Sequence, residues 1–124
     1  MKTATTRPAL STITVRYSLS TEAAGELGPD ALDVYEAALT AALSAEHPGA
    51  EVDVTVRLAN VDASSFDATC ETDAGVDLRV RKNHFGAVTV AVDPDEMDDA
   101  AQSSIEESFA RADRKAWERA CESV

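Results

Sequence analysis

Val52-Asp53-Val54-Thr55-Val56-Arg57-Leu58 is the stretch on which the fold turns. Apolar side chains occupy every second position. That is the period of a strand, whose successive residues point to opposite faces, so one face of this segment is buried and the other is wet. The alternation recurs along the chain. Ile13, Val15, Tyr17 and Leu19 alternate with Thr12, Thr14, Arg16 and Ser18. Phe66, Ala68 and Cys70 alternate with Asp67, Thr69 and Glu71, and Val76, Leu78 and Val80 with Asp77, Arg79 and Arg81. Val88, Val90 and Val92 make a fifth such run. Turn chemistry at Asp73-Ala74-Gly75 and Lys82-Asn83-His84-Phe85-Gly86 separates the last three runs. These short connections predict an antiparallel meander for the last four strands.

Two segments follow the helical period instead. Pro29 suits the first position of a helix, and Asp30 and Asp33 complement its N-terminal dipole. Leu32, Tyr35, Leu39, Ala42 and Leu43 then recur at spacings of three and four, and Pro48-Gly49 ends the pattern after about Glu46. Pro94 opens a second helix, with Met97, Ala101, Ile105, Phe109, Ala112, Ala116 and Ala120 on one stripe. Residues 20–29, with Gly25 and Gly28-Pro29, read as a loop or a frayed turn. Residues 1–11 have no periodicity and read as a flexible tail, which leaves residues 12–124 as a single domain. The predicted architecture is α+β. It is a two-layer sandwich in the order β-α-β-β-β-β-α, with an antiparallel-rich sheet of about five strands and both helices on one face. Its strands should pack their apolar side against Leu39, Leu43, Ile105 and Phe109.

Composition narrows the function classes. The 124 residues carry 23 acids against 11 lysines and arginines, a net charge of -12. Affinity for a nucleic-acid backbone comes mostly from cations, so direct nucleic-acid binding is not expected. No apolar run approaches the roughly 18 residues needed to span a bilayer, and no signal-peptide core opens the chain, so a cytoplasmic protein without membrane contact is expected. Cys70 and Cys121, far apart in sequence, are expected to be reduced thiols rather than a disulfide framework.

The charge is unevenly spread. Residues 17–56 hold eight acids (Glu22, Glu26, Asp30, Asp33, Glu36, Glu46, Glu51 and Asp53) and no lysine or arginine. Residues 1–16 hold three bases and no acid. On the second helix, Asp95, Asp99, Glu106 and Asp113 fall along one flank beside the apolar stripe, with neighbours about 6 or about 10 Å apart along the axis. Trp117 lies on the same flank. A row of exposed carboxylates beside an exposed or half-exposed tryptophan reads as a partner-binding edge, and Asp30, Asp33 and Glu36 extend the acidic surface on the first helix.

Catalytic patterns fail on their own chemistry. Asp93-Pro94-Asp95 resembles the Asp-x-Asp of haloacid-dehalogenase-type phosphatases, but too little chain follows it to complete such a site. Asp93, Asp95 and Asp99 match three positions of a calcium loop whose remaining positions are Met97, Asp98 and Ser104. A Cys70–His84 pair would need the two to meet across the sheet. His47 and His84, each on a predicted turn, have no second ligand at metal spacing. No catalytic residue, metal or cofactor is therefore assigned.

In size, single-domain organisation and acidity the chain resembles the anti-restriction and anti-CRISPR inhibitors of phages and mobile elements. Those inhibitors share no common motif, so no residue role is carried over. The resemblance implies a non-enzymatic inhibitor that mimics nucleic acid and engages a basic nucleic-acid-binding protein or complex, as a monomer or homodimer. Three other readings use the same residues. The acidity, with eight arginines to three lysines, fits a salt-adapted or high-GC host. The sheet suits a dimerisation or toxin-neutralising module that pairs through an edge strand or the open face. The cluster from Asp93 to Asp99 suits a small metal-dependent enzyme.

Overall fold

The computed structural model describes residues 8–83 and 85–122. In chain order the elements are β1 (Leu10–Ser20), α1 (Thr21–Leu27), α2 (Ala31–Glu46), β2 (Glu51–Ala59), β3 (Ser65–Thr72), β4 (Asp77–Lys82), β5 (Val88–Ala91) and α3 (Asp99–Glu122). The fold is α+β, with one five-stranded sheet in the order β2-β1-β3-β4-β5. β1 runs parallel to β2 and antiparallel to β3, and the β3–β4 and β4–β5 pairs are antiparallel. None of the described helices is long and apolar enough to cross a membrane.

Four expectations need correction. The meander covers only β3, β4 and β5, because β1 lies between β2 and β3. A parallel β1–β2 pair needs a crossover, and the helical segment between those strands supplies it. The expected tail ends early: residues 1–7 lie outside the described set, but Leu10 is already buried in β1 opposite Thr72. The loop expected over residues 20–29 contains α1. The Ser20 hydroxyl accepts the Ala23 N–H at 3.1 Å and starts this helix, and Gly28, at φ 91°, ends it. The last helix begins at Asp99 rather than Pro94. Asp93 Oδ1 accepts the Asp95 N–H at 3.0 Å, which holds the preceding segment in a turn, and Asp98 Oδ1 accepts the Ala101 N–H at 2.8 Å as the helix cap.

The strand alternation places the core where the sequence pattern puts it. Ile13, Val15, Tyr17 and Leu19 of β1 lie opposite Val52, Val54, Val56 and Leu58 of β2 in register. On the other side, Ile13, Val15 and Tyr17 lie opposite Cys70, Ala68 and Phe66. Leu39, Leu43, Ile105 and Phe109 are buried in the same cluster. Central positions are sealed, whereas Val52, Val88 and Val90, on the edge strands, are half-buried, and Leu58, near the end of β2, departs from the predicted pattern and is exposed. The helices are tied to each other by Arg111, whose guanidinium donates to both oxygens of Glu46 at 3.0 and 2.9 Å.

Val80 is 0% exposed, between Ala68 and Val90 in register. Val80→Asp would bury a carboxylate with no partner, an expected loss of several kcal/mol (~3 or more) in urea unfolding. Unchanged stability would contradict this packing.

Candidate functional site

The sheet's alternation and the stripe of α3 converge on a polar cluster inside the core. Tyr17 faces inward from β1 and Tyr35 inward from α2. Lys82, at the end of β4, sits opposite Phe66 and keeps the inward parity of Leu78 and Val80. Asp113 comes from α3, one turn beyond Phe109. Its residue is 9% exposed.

Asp113 is the acceptor for all of them. Tyr17 Oη donates to Oδ1 at 2.7 Å, and Tyr35 Oη makes a short bond to the same oxygen. Lys82 Nζ donates to Oδ2 at 2.5 Å. The two phenol oxygens are 3.1 Å apart and the rings 4.7 Å, with Phe66 stacked on Tyr17 at 5.7 Å. Each phenol has one proton, and each spends it on Asp113. Burial pushes both tyrosine pKa values far above their ordinary value, and the nearby Asp113 charge pushes the same way. At neutral pH both hydroxyls are therefore donors and not bases.

A cavity of about 350 Å³ opens over this cluster. Tyr17, Tyr35, Lys82, Asp113 and Trp117 line it together with Glu22, Glu26, Asp62, Ser64 and Arg114. Acids predominate among its charged residues. A second recess, of about 630 Å³, lies on the open sheet face and is lined by Arg16, Arg57 and Asp67 among others. Asp67 also pairs with Arg79 at 2.5 Å and with Arg81 at 3.4 Å.

The flank predicted to be a row of exposed carboxylates is not one. Asp113 is buried, as above. Glu106 is half-buried, and its Oε2 accepts the Val90 N–H at 3.0 Å. Both acids face the sheet because α3 lays this flank against β4 and β5. Only Asp95, in the turn before the helix, and Asp99, its first residue, are exposed. Trp117 is half-buried and stands in the cavity wall with Asp113. On α1 and α2, Glu22, Glu26, Asp30 and Asp33 are exposed and Glu36 is half-buried.

The remaining candidates separate. Asp93, Asp95 and Asp99 do not converge: among the described residues no group of three or more potential ligands could hold a metal ion. His47 is buried against Ser108, with Nε2 at 2.8 Å from the hydroxyl, rather than on an open turn. His84 lies outside the described residues. Cys70 and Cys121 are free thiols, and burial pushes the Cys70 pKa up to about 12, where it is no nucleophile at neutral pH.

The tyrosines and Lys82 escaped the sequence reading. Tyr17 and Tyr35 read as core residues and Lys82 as part of a turn. The available signal was parity. Lys82 continues the buried series of β4, and Asp113 stands one turn after Phe109, beside the stripe.

Two measurements test the cluster. Asp113→Ala would strand one ammonium and two phenol donors, an expected loss of about 3–5 kcal/mol in urea unfolding. A surface acid would lose about 1 kcal/mol or less. The tyrosine shifts set a pH dependence. Folded pKa values above the unfolded value of about 10 mean that their contribution is complete below pH ~10 and is lost as pH rises beyond it. Alkaline absorbance titration should show no tyrosine ionisation near pH ~10 in the folded protein, with both phenols ionising only on unfolding.

Comparison with protein-family models, curated proteins and solved structures finds no match to this chain.

Proposed function

We propose that this chain is a non-enzymatic, acidic protein-binding inhibitor. It engages a basic nucleic-acid-binding protein or complex through carboxylates that stand in for phosphates, in the manner of the anti-CRISPR and anti-restriction proteins it resembles in size and acidity. The observation that carries the reading is the acid-only run between Arg16 and Arg57. Its members Glu22, Glu26, Asp30 and Asp33 are exposed on α1 and at the start of α2, and Glu22 and Glu26 share the cavity lining with Asp62. The docking surface is therefore centred on this end of the helical layer. Asp95 and Asp99 form a second exposed group, and Asp113 and Glu106 serve the fold. The inward groups of the cavity also favour binding over catalysis: Lys82, Tyr17 and Tyr35 are all engaged by one carboxylate.

A dense negative surface accelerates encounter with a basic cleft and makes association salt-sensitive. Capture of partners from host lysate at low and high salt identifies the target. With that target, single Asp→Ala changes should each cost about 0–1 kcal/mol. Reversal of Glu22, Glu26, Asp30 and Asp33 together to Lys should slow association about tenfold or more and release the target's nucleic acid from competition. An affinity indifferent to both salt and reversal would overturn the reading and move the interface to the sheet face around Arg57, Arg79 and Arg81.

A further inference from the structure

The two edges of the sheet are finished differently. On β5 the outward N–H of Val90 is accepted by Glu106 of α3, so a helix side chain caps that edge. The other edge is β2, nine residues long, and no described strand pairs its outer side.

The ladder determines which of its groups face outward. The Asn83 N–H bonds the Ala87 carbonyl, so odd-numbered residues of β4 bond β5 and even-numbered ones bond β3. The Thr72 N–H to Val76 carbonyl bond belongs to that even-numbered set. Odd-numbered residues of β3 then bond β1, a series that the Asp73 N–H to Ala9 carbonyl bond continues. Odd-numbered residues of β1 are left to bond β2. In the parallel register of Ile13 with Val52, this turns the backbone of Glu51, Asp53, Thr55 and Arg57 inward. The N–H and C=O groups of Val52, Val54, Val56 and Leu58 face outward with no described strand beside them.

We propose that β2 pairs antiparallel with β2 of a second copy of this chain, about a two-fold axis at Thr55. This surface is separate from the acidic one proposed above. In this register Val54 meets the partner's Val56, and Val52 meets the partner's Leu58, as hydrogen-bonded pairs that use every outward group of those residues. Asp53 meets the partner's Arg57 in the closer, non-hydrogen-bonded type of pair, twice by symmetry. Two features of the single chain fit this occupant. Leu58 is 54% exposed, a large apolar side chain at the open edge. Arg57 makes no ion pair among the described residues, in a chain with 23 acids. An edge guarded against its own copy sets like charges opposite one another. This one sets Asp53 opposite Arg57.

Sedimentation velocity over a protein concentration series tests the pairing, with circular dichroism to confirm that each variant is folded. The wild type should show a reversible monomer–dimer equilibrium. Arg57→Asp, which sets Asp against Asp twice, and Asp53→Arg, which sets Arg against Arg twice, should each weaken dimerisation about tenfold or more. The combined Asp53→Arg, Arg57→Asp exchange should restore it. A wild type that stays monomeric at every concentration overturns the proposal. So does a dimer that ignores the single reversals or is not rescued by the exchange.

Discussion

The carboxylate of Asp113 joins four elements at one point. It accepts from Tyr17 on β1 and Tyr35 on α2, and pairs with Lys82 on β4, while its own backbone belongs to α3. A buried charge is tolerated only when its lone pairs are used and an opposite charge is near, and here both conditions are met. The cluster therefore constrains how the helical layer sits on the sheet. A shift of α3 along its axis by one turn, about 5.4 Å, would break all three contacts together. Apolar packing supplies the bulk of the stabilisation, but the hydrophobic effect behind it is non-directional. The polar cluster is directional and selects one arrangement among those the apolar stripe allows.

The same cluster shapes the surface around it. Two tyrosine rings, a half-buried tryptophan and an ion pair line the recess above it. Two of the acids lining it, Glu22 and Glu26, come from α1, a helix of seven residues that exists because Ser20 caps it and Leu27 anchors it. The acidic surface thus depends on a short element with a weak intrinsic preference, held in place by the β1–α2 connection. On the opposite layer the sheet face is mixed, with Arg16, Arg57, Arg79 and Arg81 set among Glu51, Asp53, Asp67, Glu71 and Asp77, whereas the acid-only run places Glu22, Glu26, Asp30 and Asp33 on the helical layer. Adaptation to a salty solvent alone does not require that separation.

Sheet edges pose a related problem, because each presents a row of unpaired backbone groups. Glu106 answers it on β5 and so is withdrawn from the free acids. Among the described residues no strand pairs the outer side of β2. Carboxylates that look equivalent in composition therefore do three different jobs: Asp113 is an internal acceptor, Glu106 an edge cap, and Glu22, Glu26, Asp30 and Asp33 solvated charge.

The sequence by itself determined the class of fold and which face of each element is buried. Alternation in residues 52–58 and 76–80 and the stripe from Met97 to Ala120 are local periodicities, and burial follows from them because side-chain direction repeats with the backbone. It also determined the total charge and the acid-only run. Only the tertiary structure decided that β1 lies between β2 and β3, since strand order depends on which non-local pairing buries most surface, and alternation is the same in every order. Only the tertiary structure decided the role of each acid on α3. Spacing placed Asp99, Glu106 and Asp113 on one flank, but whether that flank meets solvent or another strand depends on where β4 and β5 run. Lys82 and Asp113, 31 residues apart, meet only because the sheet and the last helix close over the same core, and no local rule records that distance.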